Sequence, residues 1–239
     1  MRIKKIVLVF LFLVLISVIG EWSVASDKEN NTPLLIDKFI RINTDNSAEL
    51  PAVDLLQTAL SGFEMLRKEQ TIRRPDVITI IDFSLPSDKE RLWVIDLIDA
   101  KVLFHCLVSH GRNSGDLQAE YFSNSPGSYA SSPGFYTTGE TYSGKNGFSL
   151  RLDGMEKGIN DKARERAIVI HGADYVSAEF ISKNGRLGRS HGCPAVPEEL
   201  SREIIETIKD GTCLFVYAPT ESYLTKSPVI SKITPVKKG

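Results

Sequence analysis

The chain has 239 residues, 29 of them Lys or Arg and 30 Asp or Glu, for a formal net charge of −1. That length suits one domain with appendages, or a domain plus a small helical unit, and the 42% apolar share is ordinary for a packed core. No basic excess exists to hold a polyanion, which argues against nucleic-acid binding.

The first residues read as a secretory signal. Arg2, Lys4 and Lys5 make a positive start, Ile6 to Ile19 is apolar apart from Ser17, and Ser23-Val24-Ala25 offers small residues at a cleavage site. The competing reading is an uncleaved membrane anchor, although the run is shorter than the ~20 residues of a spanning helix. Residues 1–25 carry three positive charges and one negative, so the mature chain would stand at −3, in the periplasm or cell envelope. Export gives the cysteine count weight. Cys106, Cys193 and Cys213 are odd in number, which leaves at least one thiol without an internal partner in an oxidising compartment.

Residues 26–72 read as a linker followed by a helix. Leu55, Leu56, Ala59, Leu60, Phe63 and Leu66 recur at helical spacing, predicting a helix over about 52–68 with Arg67-Lys68 at the favourable end of its dipole. From Val77 the texture turns to β. Val77–Phe83, Leu92–Ile98 and Val102–Ser109 predict an antiparallel meander. Asn113–Pro133, dense in Gly, Ser, Asn and Pro, reads as a long surface loop of the kind that often borders a binding site. Phe135–Thr141, Phe148–Leu152 and Ala167–His171 are further strands. Leu200, Ile204, Ile205 and Ile208 share one face of a last helix that starts at Pro197 and stops at Gly211. Cys213–Tyr217 closes the domain, assigned to residues 73–220, and residues 221–239 read as a basic, mobile tail. Cys106 and Cys213 both fall on predicted strands, and a bridge between them would leave Cys193 as the free thiol.

Gly188-Arg189-Ser190-His191-Gly192-Cys193-Pro194 carries the chemistry. Gly192 permits a sharp turn beside the sulfur, where backbone N–H groups can hold an oxyanion, and a helix beginning soon afterwards would favour thiolate. A nucleophilic cysteine needs a base. His171-Gly172 follows the apolar strand Ile168-Val169-Ile170, so His171 can be held rigidly facing a cleft, with room for substrate beside the glycine. A lone Cys is more often a small buried hydrophobe, and a lone His a satisfied polar group. Export, the odd count and the two motifs together favour a Cys–His enzyme.

His171-Gly172 followed by Ser190-His191-Gly192-Cys193 resembles the active-site signature of the YkuD-type L,D-transpeptidases, and Ser132-Pro133-Gly134-Phe135-Tyr136 and the run from Gly139 to Gly172 extend the likeness over about Val77 to Tyr217. The resemblance implies a mainly β, sandwich-like fold with a few helices. It implies a cysteine acyltransferase that acts on peptidoglycan stem peptides without a cofactor. In that family the cysteine attacks the amide between the diamino acid and the terminal D-alanine of a tetrapeptide, and an amine of a neighbouring stem takes the acyl group. Carried over by motif, Cys193 is the nucleophile and His171 the base. Gly192 and Cys193 donate to the oxyanion, Ser190 and His191 shape the site, and a backbone carbonyl orients the base. An L,D-carboxypeptidase on the same bond, or a non-catalytic wall-binding homologue, fits the same motifs. The family pattern continues after the cysteine with an apolar residue and then Arg or Asn, whereas this chain has Pro194-Ala195-Val196-Pro197. Arg189, Arg186, Gly172 and Tyr136 are therefore the candidates for substrate contact, with Arg151, Arg166 and Lys145 as further cations near the motifs. His110-Gly111 repeats the His-Gly pattern as a decoy or supporting element, and His105 reads as structural. No HxxxH or CxxC spacing supports a metal site.

Overall fold

The fold is given by a computed structural model that describes residues 36–39, 41 and 49–233. The signal segment and the last six residues lie outside the described residues. Among the described residues the order is α1 (Val53–Lys68), β1 (Val77–Asp82), β2 (Leu92–Asp96), β3 (Lys101–Cys106), β4 (Gly134–Gly144), β5 (Gly147–Gly154), β6 (Val169–Ala173), α2 (Ala178–Asn184), β7 (Ala195–Pro197), α3 (Glu198–Ile208), β8 (Cys213–Tyr217), α4 (Glu221–Lys226) and α5 (Pro228–Ile233). The eight strands form one sheet in the order β3-β2-β1-β8-β4-β5-β6-β7. Its two ends meet. Ser109, just past β3, bridges Ala195 of β7, with Ser109 N–H donating to Ala195 O at 2.9 Å. The sheet is thereby nearly a closed barrel, and no helix among the described residues is long and apolar enough to cross a membrane. The mainly β fold with a few helices is as the sequence implied.

Both faces of the sheet are apolar, which is why its strands read as unbroken hydrophobic runs rather than alternating ones. Val77, Ile81, Leu92, Val94, Leu214 and Val216 point to one side, where Ile204, Ile205 and Ile208 of α3 cover them. Ile78, Ile80, Trp93, Ile95, Phe135 and Phe215 point to the other, against Leu56, Leu60 and Phe63 of α1. Phe135 and Phe215 stack at 4.1 Å between ring centroids, and Gly62 lets α1 approach the Phe135 ring, where any Cβ would lie 2.1 Å from it. Helix α1 therefore shares one core with the sheet.

The C-terminal residues are not a mobile tail as far as they are described. They form α4 and α5, with Tyr223, Val229 and Ile230 buried on the α1 side. Glu156 pins them from a fully buried position. Its carboxylate accepts from Phe135 N–H at 2.8 Å, Tyr223 Oη at 3.2 Å and Ser227 Oγ.

A Cys106–Cys213 bridge is excluded by the topology. The two thiols belong to opposite faces and lie three strands apart, ~14 Å at the usual interstrand spacing against the ~7 Å between Cα atoms that a disulfide tolerates. Burial pushes Cys106 up to about 12 and raises Cys213 as well, so both are poor nucleophiles. A peptide map made without reductant should recover both as separate reduced peptides; one peptide joining them would refute the strand order.

Candidate active site

Strands β6 and β7 run side by side in parallel, with His171 opposite Ala195. Cys193 stands two residues before that partner, so adjacent strands bring the two motifs to one place. Both side chains line a cavity of about 590 Å³, together with Gly172, Tyr175, Arg189, Ser190 and His191. The hairpin turn Lys145-Asn146-Gly147 between β4 and β5 borders it, as do Asp174 and Glu198.

His171 is 5% exposed, and its Nδ1 lies 2.9 Å from Gly172 O. A carbonyl only accepts, so Nδ1 carries the proton and Nε2 is left as the acceptor in the neutral ring. This is the backbone carbonyl that the family resemblance implied. Burial holds His171 below its ordinary value, outweighing the Gly172 carbonyl, which acts to raise it. The ring is therefore neutral at neutral pH and able to take a proton.

Cys193 is 8% exposed, and its Sγ lies 3.7 Å from Ala167 O. Burial raises its pKa, opposed by the Val169 N–H and the Arg166 guanidinium. Strand β7 stands between Cys193 and α3 along the chain, and the first residue of α3, Glu198, lines the same cavity beside Gly172. At neutral pH the cavity thus holds a thiol, whose side-chain partner is Ala167 O, and a neutral imidazole.

Ser190 builds the turn that presents the sulfur. Its Oγ donates to Cys193 O at 2.6 Å and accepts from Gly192 N–H at 3.0 Å. The Gly192 N–H is therefore committed to Ser190 rather than free for an oxyanion, while the Cys193 N–H has no acceptor among the described residues. Gly192 itself is required. Its φ is +119°, and a Cβ there would meet Ala130 O at 2.8 Å. From below, Ser131 Oγ donates to Gly192 O at 3.2 Å and accepts from Gly111 N–H at 3.0 Å, which ties the long loop to the turn.

His191 is exposed and packs on Tyr129 at 4.5 Å between ring centroids, with the Arg112 guanidinium also over that ring, 4.3 Å from its centroid. Arg189 lines the cavity, but its Nη1 is held by Gly115 O at 3.0 Å and Asp116 Oδ1 at 2.5 Å. Arg186 is turned to Leu187 O at 2.7 Å and does not line the cavity. Tyr136 is a core residue, 2% exposed, whose hydroxyl donates to Ser132 O at 2.9 Å; it lies outside the cavity and not where a substrate contact was expected. The space beside Gly172 is taken by α3, since a Cβ there would meet Ser201 Oγ at 2.6 Å. Gly172 is thus small for helix packing.

His110 is fully buried and structural. Its Nδ1 accepts from Arg91 Nη2 at 2.9 Å and its Nε2 is 3.3 Å from Gly115 O, while burial and Arg91 drive its pKa down to about 4. His105 stacks on Trp93 at 4.7 Å on strand β3, as its position suggested.

The sequence of residues 48–217 matches the profile of the L,D-transpeptidase catalytic domain. The chain belongs to that family. No curated relative matches it in sequence. Among solved structures, an L,D-transpeptidase from Mycobacterium smegmatis is 14% identical, with 60% of this chain and 59% of that one covered at a TM-score of 0.37. One from Mycobacterium tuberculosis H37Rv is 15% identical, covering 60% and 58% at 0.39. A third, from Stackebrandtia nassauensis, is 17% identical, covering 78% and 77% at 0.36. The chain spans under two thirds of the length of the first two. The L,D-transpeptidase family profile includes both motifs and also α1, which the resemblance read from the motifs alone had left out. Sequence reasoning also passed over Tyr175, Asp174 and Glu198. Tyr175 stands only four residues after His171, a signal that was available in the sequence.

Proposed function

We propose that the chain is an exported L,D-transpeptidase that acts on peptidoglycan stem peptides through a Cys193 acyl-enzyme. Cys193 Sγ attacks the carbonyl carbon of the diamino acid while its proton passes to His171 Nε2. The C–N bond to D-alanine breaks, the amine leaves with the proton from His171, and a thioester remains. An amine of a second stem then attacks the thioester, gives up a proton to His171, and releases the thiol with a new amide bond. The observation that carries the reading is the convergence of the two motifs on one cavity, with the His171 tautomer set by Gly172 O. Residues 1–25 supply the export signal, and residues 73–220 hold the catalytic machinery, with α1 as its outer support.

The test is mass spectrometry of defined tetrapeptide muropeptides incubated with protein from Ser26 onward. The expected product is a cross-linked dimer that has lost one D-alanine. Stems trimmed by one residue with no dimer would make the protein a carboxypeptidase on the same bond. Unchanged muropeptides together with an unlabelled Cys193 would overturn the enzyme reading.

A further inference from the structure

The turn beside the nucleophile has lost one of its two backbone donors. Ser190 Oγ takes the Gly192 N–H at 3.0 Å, which leaves the Cys193 N–H as the donor of this turn that has no acceptor among the described residues. Oxyanion holes are built from preorganised donors, backbone N–H groups and side-chain hydroxyls such as that of tyrosine among them. A second donor should therefore be built nearby, on a rigid element and with its proton secure.

Tyr175 meets those conditions. It follows β6 four residues after His171 and lines the same cavity as Cys193. Its ring lies against Gly188, where any Cβ would be 2.4 Å from Tyr175 Cβ and 2.6 Å from Cγ, and its carbonyl accepts from Gly188 N–H at 2.9 Å. Gly188 is small so that this ring can sit against the segment that ends in Cys193. Ser109 stands behind it. The Ser109 hydroxyl is fully buried and has no hydrogen-bond partner among the described residues, and it acts to lower the pKa of the Tyr175 phenol against burial. Ser109 is also the residue whose bridge to Ala195 closes the sheet. If Ser109 donates to the phenolic oxygen, the Tyr175 O–H remains to be given to a ligand. Burial and the nearby Cys193 push the phenol up to about 12, so the proton stays on through the neutral range.

We infer that the Tyr175 hydroxyl, with the Cys193 N–H, forms the oxyanion hole for the tetrahedral intermediate, in place of the Gly192 N–H. The inference rests on the Cys193 acyl-enzyme reading. The hydroxyl donates a hydrogen bond to the oxygen as its charge develops, and no proton leaves the tyrosine.

The test compares two reactions of the same sulfur in the full chain. Acylation by a defined stem tetrapeptide passes through an oxyanion, whereas alkylation by iodoacetamide does not. Tyr175→Phe keeps the ring on Gly188 and should slow acylation by ~10²- to 10³-fold, mostly in kcat, while Cys193 alkylates within about twofold of the parent rate. Ser109→Ala should show the same pattern at a smaller size. Acylation by Tyr175→Phe at the parent rate would overturn the proposal and leave the acyl-enzyme reading intact. Parallel falls in acylation and alkylation would also overturn it, because the ring would then only be placing the sulfur. A parent chain whose Cys193 alkylates but never acylates would overturn both readings.

Discussion

His171→Ala should bring acylation down to the background of Cys193→Ala, a loss on the order of 10³- to 10⁴-fold or more, while His191→Ala stays within about tenfold of the parent. His171 is buried on β6 with Nδ1 tied to Gly172 O, so its free Nε2 can take the thiol proton. His191 is nearer in sequence but exposed, and its ring is spent on Tyr129. The pH dependence separates the roles further. Burial lowers the His171 pKa from 6.5, so the parent keeps its base neutral at pH 6.5 and loses activity only as pH falls through the lower folded value. Burial raises the Cys193 pKa from 9.0, so in His171→Ala the residual rate should climb with pH well into the alkaline range, following thiolate formed without a base. Acylation rates for both variants across pH decide it. A dead His191→Ala beside an active His171→Ala would reverse the assignment, and a flat alkaline profile for His171→Ala would refute the raised thiol.

Much of the barrel was legible because burial on both faces writes long apolar runs. Val77 to Phe83 and Cys213 to Tyr217 were read nearly to the residue for that reason. Strand β7 was not read, because the three residues Ala195–Pro197 carry no periodicity; only its pairing with β6 makes it a strand. That short strand also stands between Cys193 and the start of α3 along the chain. The proposed nucleophile and base were visible as two motifs, since both lie at places where a strand meets a turn. Their neighbours were harder to read. Tyr136 looks like a ligand-facing tyrosine in sequence, yet strand alternation turns it into the core opposite Phe135. Gly172 and Gly188 are small for what packs on them, α3 and the Tyr175 ring, and a sequence does not print those partners. The fate of the Gly192 N–H turns on a hydroxyl two residues away, a choice that only the folded turn reveals.

Arg166→Ala should be strongly destabilising, because one guanidinium organises the long loop beneath Cys193. Its Nη1 donates to Ser123 O at 2.8 Å and to Ser132 Oγ, and its Nη2 donates to Ala130 O at 2.6 Å and Ser128 Oγ at 3.2 Å. These four partners span residues 123 to 132, a stretch with no strand or helix to hold it. The same Nη2 lies 3.3 Å from where a Gly192 Cβ would sit, and the charge lowers the Cys193 pKa against burial. Removing the side chain leaves two buried acceptors, Ala130 O and Ser132 Oγ, and two half-buried ones without their donor, at a cost of ~3 kcal/mol, or a fall in Tm of roughly 6–12 °C for a domain of this size. It also raises the thiol further, so alkylation of Cys193 at fixed pH should slow. Arg166→Lys distinguishes the two effects. An ammonium keeps the charge but cannot serve four acceptors spread around a planar fork, so it should recover much of the alkylation rate and little of the Tm. Thermal unfolding and iodoacetamide kinetics on the three proteins read this directly. A lysine variant that matches the parent in Tm would show that the loop needs only a charge there, and an alanine variant that alkylates at the parent rate would remove Arg166 from the electrostatics of the sulfur.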